Sequence, residues 1–388
     1  MRGPTRAAAR AMAWAIMAWL LVLAVALPAA AAWTAPTVVD SGRDISAGRV
    51  GVDDAGHLHI VAEDATGLFY RTDASGSWVT TRLWDGDVFA SEMDLRVDGA
   101  GNVYVAWAQA CSCVNYHSLG ILYLTNAFGG PNAGWPATPR TLVTGNAQEP
   151  SLRLYEYKVH LAWTQKQRVW YGNDVTGGWV QVAVSPAGSW GNSPSLVVAP
   201  ATRARLVYNG GGRLHYAWNT GSNGQPHFRS ERIPGSVDGW SPALALDAQL
   251  RPHVAYGLEQ GTCAAGPACG PLRRPAGSSS AGRGPSPATL WGTQIAVRTA
   301  NGWTPVSRRR VTLAVGDNTL LLDDHGRFHL LTGNQVVSDA TGAIVRKNLG
   351  LAGDPWWFAM DITDGGLARV IYQDGDGAAA QLLLVREH

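Results

Sequence analysis

Three features of this 388-residue chain predict an all-β fold: a seven-bladed β-propeller of four-stranded blades, with six or eight blades as alternatives. First, one motif recurs, in which Asp and a Gly-bearing or polar turn lead into an alternating apolar run. It is seen at Asp53-Asp54-Ala55-Gly56-His57-Leu58-His59, Asp98-Gly99-Ala100-Gly101-Asn102-Val103-Tyr104, Asp247 to His253, and Asp323-Asp324-His325-Gly326-Arg327-Phe328-His329. Second, after Trp33 almost every segment alternates apolar and polar residues between Gly, Asn, Asp or Pro clusters, and helical periodicity is absent. Third, the two chain ends complement each other, as a closed ring requires. A repeat of this kind means tandem units that bury their apolar faces against their neighbours.

The chain opens with Arg2, Arg6 and Arg10, an apolar run from Ala11 to Leu27, Pro28, and the small residues Ala29 to Ala32. That order is the charged, apolar and small-residue pattern of a secretory signal cut before Trp33, with an uncleaved anchor as the alternative. Residues 1–32 are therefore set apart from a single domain over 33–388. Each unit reads as four strands. The first is apolar, as in Ser195-Leu196-Val197-Val198. The second follows the acidic turn, and its markers fall near His59, Tyr104, His160, Arg205, His253, His329 and Arg369. The third is Tyr-rich (Leu68-Phe69-Tyr70, Leu122-Tyr123-Leu124), and a Gly-Trp turn at Trp78, Trp135, Trp179 or Trp303 leads to the fourth. The last unit ends at its third strand, Gln381 to Val385, and Thr37-Val38-Val39 supplies its fourth. At about 257–290 a Gly-, Ser- and Pro-rich insertion interrupts the fifth unit between its second and third strands.

Hydrophobic residues make up 46% of the chain and charged residues 15%, enough for a large core. Without the three leader arginines, 28 basic residues face 29 acidic ones, so nucleic acid is excluded as a partner class. No later stretch is apolar enough to span a bilayer as a helix. The chain is expected to be secreted, periplasmic or at the cell surface, and monomeric. Export makes Cys111, Cys113, Cys263 and Cys269 candidate disulfides with three possible connectivities; local pairing, Cys263 with Cys269, is the first choice, though a C-x-C bridge is strained. A four-thiolate zinc site is the alternative, disfavoured by an oxidising compartment; no metal or cofactor is expected.

The recurring His59, His160, His253 and His329 occupy one offset in successive units, so a ring would place them on different blades. A buried His bonded within its own blade is the expected role. The turn residues Asp53, Asp98, Asp247 and Asp323 are expected to accept backbone N–H bonds. Trp107, Trp163, Tyr208, Tyr256 and Tyr372 share the end of the second strand and are expected to fill the wedge between blades. Asp374-Gly375-Asp376-Gly377 lacks the later ligands of a calcium loop and reads as a hairpin turn.

Ligand-binding candidates lie in the links between one unit's fourth strand and the next unit's first. These are Trp84, Asp85 and Asp87; Glu149; Trp190 and Asn192; Asp238 and Trp240; and Asp354, Trp356 and Trp357. An indole stacks on sugar C–H groups while carboxylates and amides bond hydroxyls; the competing role is that each Trp caps its blade.

With these turns laid out, the chain from Trp33 to His388 resembles the sialidase-like (Asp-box or BNR-repeat) propeller superfamily. Thr72-Asp73-Ala74-Ser75-Gly76-Ser77-Trp78 and Asn173-Asp174-Val175-Thr176-Gly177-Gly178-Trp179 resemble its S-x-D-x-G-x-T-W box, with the Gly one place nearer the Trp. In that family the box stabilises the fold and does not mark catalysis. Sialidases also carry an early F-R-I-P motif, whose Arg belongs to a substrate-binding triad. The nearest match, Glu231-Arg232-Ile233-Pro234, is mid-chain and lacks the aromatic. Some polysaccharide lyases use the same ring with His and Tyr as acid and base, but here those residue types sit at repeat positions. No catalytic residue is assigned. The expectation is a non-catalytic module that binds a glycan or another extracellular macromolecule at the channel mouth. The alternatives are a carbohydrate-active enzyme (a sialidase-like glycosidase or a polysaccharide lyase) and a protein-interaction scaffold.

Overall fold

The computed structural model describes residues 33–111, 117–127, 134–188, 190–201, 203–237, 239–263, 288–305, 311–312, 319–323, 325–332, 335–339, 345–349, 351, 357–363, 366–375 and 379–387. Their strands form seven antiparallel sheets, the blades of a propeller. Blade 1 contains Ile45–Val52, Leu58–Asp64, Gly67–Thr72 and Val79–Trp84. Blade 2 contains Val88–Val97, Val103–Ala110, Ser118–Thr125 and Arg140–Thr144, and blade 3 Ala147–Tyr155, Lys158–Gln165, Arg168–Asn173 and Val180–Ala183. Blade 4 contains Gly191–Ala199, Arg203–Gly210, Arg213–Asn219 and Phe228–Val237. Blade 5 contains Trp240–Leu246, Pro252–Cys263, Ala288–Thr299 and Gly302–Pro305, with Val311–Thr312 also paired to its third strand. Blade 6 contains Thr319–Leu322, Phe328–Thr332, Gln335–Ser338 and Val345–Asn348. Blade 7 takes Phe358–Ile362, Ala368–Asp374 and Gln381–Arg386 from the end of the chain and Thr37–Ser41 from its beginning.

That last pairing closes the ring in the expected register, with Val38 opposite Leu383 and Thr37 opposite Leu384. Seven apolar clusters lie one at each blade–blade interface, including the interface between blades 7 and 1, where Ile45, Ile60 and Phe69 meet Ala359, Ile371 and Leu382. Because strand side chains alternate in direction, each blade buries both faces, which explains the near-continuous apolar second strands. Trp107, Trp163, Tyr208, Tyr256 and Tyr372 are all at most 1% exposed and fill the wedges. The outer-strand aromatics reach across interfaces: Trp135 meets Tyr70 edge-on at 5.1 Å, Phe228 meets Tyr171 at 5.1 Å, and Trp303 meets Tyr216 at 5.4 Å.

Two side-chain acceptor devices, built on Asp and in one case Asn, recur at the end of the ring opposite the links. The turn aspartates accept backbone N–H bonds: Asp53 from His57 (2.8 Å), Asp98 from Asn102 (2.9 Å), Asp247 from Arg251 (2.8 Å) and Asp323 from Arg327 (3.0 Å). The second oxygen contacts the repeat-position ring, at 3.3 Å for His59, 3.1 Å for His253 and 3.5 Å for His329. His59 and His160 also share hydrogen bonds of 2.7 and 2.6 Å with the hydroxyls of Tyr70 and Tyr171. Burial lowers the His160 pKa to about 4, so this ring is neutral at pH 7. The second device clamps the start of the second strand to the end of the third. Leu58, Val103, Val159 and Phe328 donate their N–H groups to Asp73, Asn126, Asp174 and Asp339, each at 2.7–2.8 Å. Asp73 and Asp174 open the two box-like turns, in which Gly76 (φ +83°) and Gly177 (φ +89°) take the left-handed conformation that Gly tolerates.

Candidate functional site: the axial channel

The innermost strand of each blade is a sheet edge, and its free N–H groups need partners or water. In blades 2 to 5 this strand is bulged at its start, with register shifts at Val88/Met93, Gln148/Ser151, Asn192/Ser195 and Trp240/Ala243. Ala90, Glu149, Ser193 and Ser241 take positive φ there (49°, 53°, 50° and 43°), a strained state for residues with a Cβ. In blades 3, 4 and 5 the next residue is Pro150, Pro194 or Pro242, which has no N–H to leave unpaired.

In blades 3 and 4 the bulge turns a backbone N–H toward the preceding blade, and a side chain there receives it. Glu149 N–H donates to Glu92 at 2.6 Å, and Ser193 N–H donates to Glu149 at 2.7 Å. One pleat further, Leu152 donates to Asp94 (2.7 Å), Leu196 to Ser151 (3.0 Å) and Leu244 to Ser195 (3.0 Å). Across the closure, Val52 donates to Asp361 at 2.9 Å. The inner edges are thereby stapled blade to blade.

These staples surround an axial cavity of about 410 Å³, to which all seven inner strands contribute. Its charge is dense. Arg96 lies 3.0 Å from Asp94 and donates to the Leu152 carbonyl at 2.8 Å. Arg153 donates to the same carbonyl at 2.6 Å and to Asp94 at 3.3 Å. Arg49 lies on blade 1 and Asp361 on blade 7. Burial dominates the acids. Desolvation raises Glu92 to about 7, aided by the nearby Glu149 charge and opposed by the Glu149 N–H. Desolvation raises Asp361 to about 6 against the Val52 and Ile362 N–H groups. Asp94 is also raised, by burial that outweighs Arg96, the Leu152 N–H and Arg49.

Of the sequence candidates among the described residues, only Glu149 joins this cluster; it accepts bonds from Thr164 Oγ1 (2.6 Å), Ser193 N and Ser193 Oγ (3.0 Å). Asn192 stands beside it, exposed. Trp190 is 66% exposed. Trp84 folds back against Trp107, with ring centroids 6.2 Å apart. Trp357 donates its indole N–H to the Ile45 carbonyl at 2.9 Å and covers Gly48, where an added Cβ would sit 2.6 Å from the ring. Asp85 is exposed and pairs with Arg82 at 2.9 Å, and Asp87 is exposed. Trp240 begins the inner strand of blade 5 opposite Gly257. Asp238, Asp354 and Trp356 lie outside the described residues, as do Cys113, Cys269, Asp376 and Gly377. Cys111 follows the second strand of blade 2, its N–H bonded to the His117 carbonyl at 2.9 Å, and Cys263 ends the second strand of blade 5. Among the described residues no group of three or more His, Cys, Asp or Glu is placed to hold a metal.

Glu92, Asp94, Arg96 and Arg153 were not singled out by sequence. The signal is present as Glu149-Pro150-Ser151-Leu152, Ser193-Pro194-Ser195-Leu196 and Ser241-Pro242-Ala243-Leu244, with Glu92-Met93-Asp94-Leu95 as the divergent copy.

No protein-family profile and no curated protein matches the chain. Solved structures do. The polysaccharide lyase Uly1 superposes with a TM-score of 0.52 at 9% identity, over 90% of this chain and 91% of that one. A protein of unknown function from Dyadobacter fermentans gives 0.48 at 10% identity, over 93% and 100%. The extracellular domain of a hybrid two-component-system protein from B. thetaiotaomicron gives 0.47 at 12% identity, over 88% and 38%. At these identities the likeness is one of fold: this chain is a propeller of a kind also found among carbohydrate-active proteins.

Proposed function

We propose that this protein is an exported, non-catalytic glycan-binding propeller of sialidase-like ancestry, holding a saccharide in its axial channel with Asn192 and Trp190 at the rim. The observation that carries the reading is the channel wall, where guanidinium donors on blades 1 to 3 (Arg49, Arg96, Arg153) adjoin carboxylate and hydroxyl groups on blades 3 and 4 (Glu149, Ser193, Ser195) around about 410 Å³. Hydroxyl-rich ligands need such a closely spaced mixture of donors and acceptors. The non-catalytic reading is supported by the commitment of two of the acids: Glu149 accepts two hydrogen bonds from Ser193 of blade 4 and one from Thr164 of its own blade, and Asp94 accepts one from Leu152 of blade 3. Export rests on the leader before Trp33, and the cysteines would then pair as disulfides, Cys263 with Cys269 first.

A second reading, a carbohydrate-active enzyme, is favoured by Glu92. A carboxylic acid raised to about 7 beside a second carboxyl group is what general-acid chemistry requires. The similar fold of a polysaccharide lyase accords with it.

The two readings separate in one experiment. The chain from Trp33 is screened on a glycan array and, with each retained glycan, assayed for new reducing ends and unsaturated uronates. The expected result is retention without cleavage, with Arg153→Ala weakening it about tenfold, the scale of one lost charge-assisted hydrogen bond. Cleavage abolished by Glu92→Gln would establish the enzyme instead. Retention indifferent to Arg153→Ala would remove the ligand from the channel.

A further inference from the structure

Blade 4 breaks the repeat at a position that blades 1, 2, 3 and 6 keep closed; blade 7 also departs there, with Arg369 opposite Arg386. In blade 1 the second strand pairs His59 with Thr72, in blade 2 Tyr104 with Thr125, and in blade 3 His160 with Asn173. The first member of each pair is at most 2% exposed. The equivalent pair in blade 4 is Arg205 and Trp218, and both are half-buried. The adjoining clamp is also rebuilt. Asn219 occupies the place of Asp73 and Asp174, but its side-chain carbonyl accepts from Gly221 N and His227 N, each at 2.9 Å, within a longer turn. What opens is a cleft of about 490 Å³ between blades 4 and 5, lined by Arg203, Arg205, Tyr216, Trp218, Asn219 and Arg298.

The cleft is cationic and held rigid. Arg298, from blade 5, is fixed by Glu231 at 2.6 and 3.3 Å and lies over the rings of Trp218 and Tyr216, at 5.6 and 6.0 Å. Glu231 is itself fixed by the indole N–H of Trp303 at 2.8 Å. Tyr216 and Trp218 stack at 5.6 Å. Arg205 is anchored to the Leu250 carbonyl of blade 5 at 2.5 Å. Arg203 is exposed and has no acidic partner among the described residues. Three guanidiniums therefore face one carboxylate beside an indole.

We propose that this cleft is a second saccharide site, separate from the channel and selective for acidic sugars that carry a carboxylate or sulfate. Arginine forks bind planar or tetrahedral oxyanions, and the indole meets the apolar face of a pyranose. The volume falls in the range of small-ligand sites, roughly 300–1,000 Å³, and so holds a sugar ring and not only an ion. A bare inorganic anion would fill little of it and leave Trp218 unused. The departure from the repeat exchanges the closed His or Tyr position of blades 1 to 3 for an arginine and an indole that line this cleft.

Titration calorimetry on the chain from Trp33 tests this with oligoglucuronate, a sulfated oligosaccharide, neutral oligoglucose and inorganic sulfate. The acidic oligosaccharides are expected to bind, and more weakly as salt rises. Trp218→Thr, which installs the residue blades 1 and 2 carry at this position, is expected to weaken binding about tenfold, as is Arg203→Ala. The channel variant Arg153→Ala is expected to leave this binding unchanged. Should Trp218→Thr fail to fold by circular dichroism, the exposed Arg203 keeps the test decisive. Unchanged affinity in the cleft variants, absent binding of acidic oligosaccharides, or loss through Arg153→Ala instead would each overturn the assignment. So would inorganic sulfate binding as tightly as the oligosaccharides, which would leave an adventitious anion site only.

Discussion

Asp323, in the turn between the first two strands of blade 6, and Glu92, on the inner strand of blade 2, are carboxylates withdrawn from water at opposite ends of the ring. Desolvation raises both. At Asp323 it is outweighed by hydrogen bonds from the Arg327 backbone, the Arg327 side chain and His329, and the net shift is downward. Asp53 and Asp247 behave alike. At Glu92 one backbone N–H is all that opposes desolvation, and the group rises to about 7. Asp361 rises to about 6 on similar grounds. Burial alone therefore does not say what a carboxylate does; the number and charge of its donors decide. At one end of the ring the donors hold Asp53, Asp247 and Asp323 below the usual carboxylate range, while the channel holds acids poised near neutrality.

The largest effect expected from this contrast is at the clamp. Asp323→Ala leaves His325 N, Arg327 N (both 3.0 Å), Arg327 Nε (2.6 Å) and His329 Nε2 without their acceptor in a buried site. The cost should be about 3 kcal/mol, read as a lower urea midpoint at unchanged m-value. A loss below about 1 kcal/mol would show that the turns hold without their carboxylates.

Next comes the pH dependence, where the two ends act with opposite sign. Glu92 has a folded-state pKa above its unfolded value of 4.5, so its contribution is complete below pH 4.5 and is lost as the pH climbs through about 7. Asp323 has a folded-state pKa below 3.8, so its contribution is present above that pH and is lost on further acidification. Stability should peak on the acid side of neutrality. Glu92→Gln, which keeps an acceptor for the Glu149 N–H, should flatten the alkaline limb by roughly 1–3 kcal/mol and spare the acid limb. Thermal melts across pH 3 to 9 read both limbs at once. An alkaline limb unchanged in Glu92→Gln would refute the poised acid.

The difference in how readable these regions were from sequence has the same origin. The turn end is written locally: Asp53 finds His57 four residues away and His59 six residues away, so the motif and the contact coincide. The ring closure was readable because Val38 and Leu383 each carry the alternation of half of one sheet. The channel is written non-locally. Glu92 receives Glu149 N–H from 57 residues away, and Glu149 receives Ser193 N–H from 44 away. Only the recurring Pro after a bulged residue betrays the site in sequence, and as a pattern it looks like strand punctuation. The link tryptophans diverge in what each finds to pack on, which is non-local: Trp84 finds Trp107 and Trp357 finds the Ile45 carbonyl, while Trp190 stays exposed.

The smallest effect tests that divergence at the rim. Trp190 is 66% exposed, and its backbone carbonyl, which accepts the Gly211 N–H at 2.9 Å, survives truncation of the side chain. Trp190→Ala should therefore change stability by less than about 0.5 kcal/mol. It should still weaken channel glycan binding several-fold, because an exposed indole two residues before Asn192 contributes stacking area of about 1 kcal/mol. Trp84→Ala should do the reverse, lowering the urea midpoint through lost packing on Trp107 while leaving affinity alone. If both substitutions cost stability equally and neither touches binding, Trp190 belongs to the blade like Trp84, and the rim has no part in recognition. If Trp84→Ala also loses affinity while its fold is intact, the channel mouth extends over blade 2.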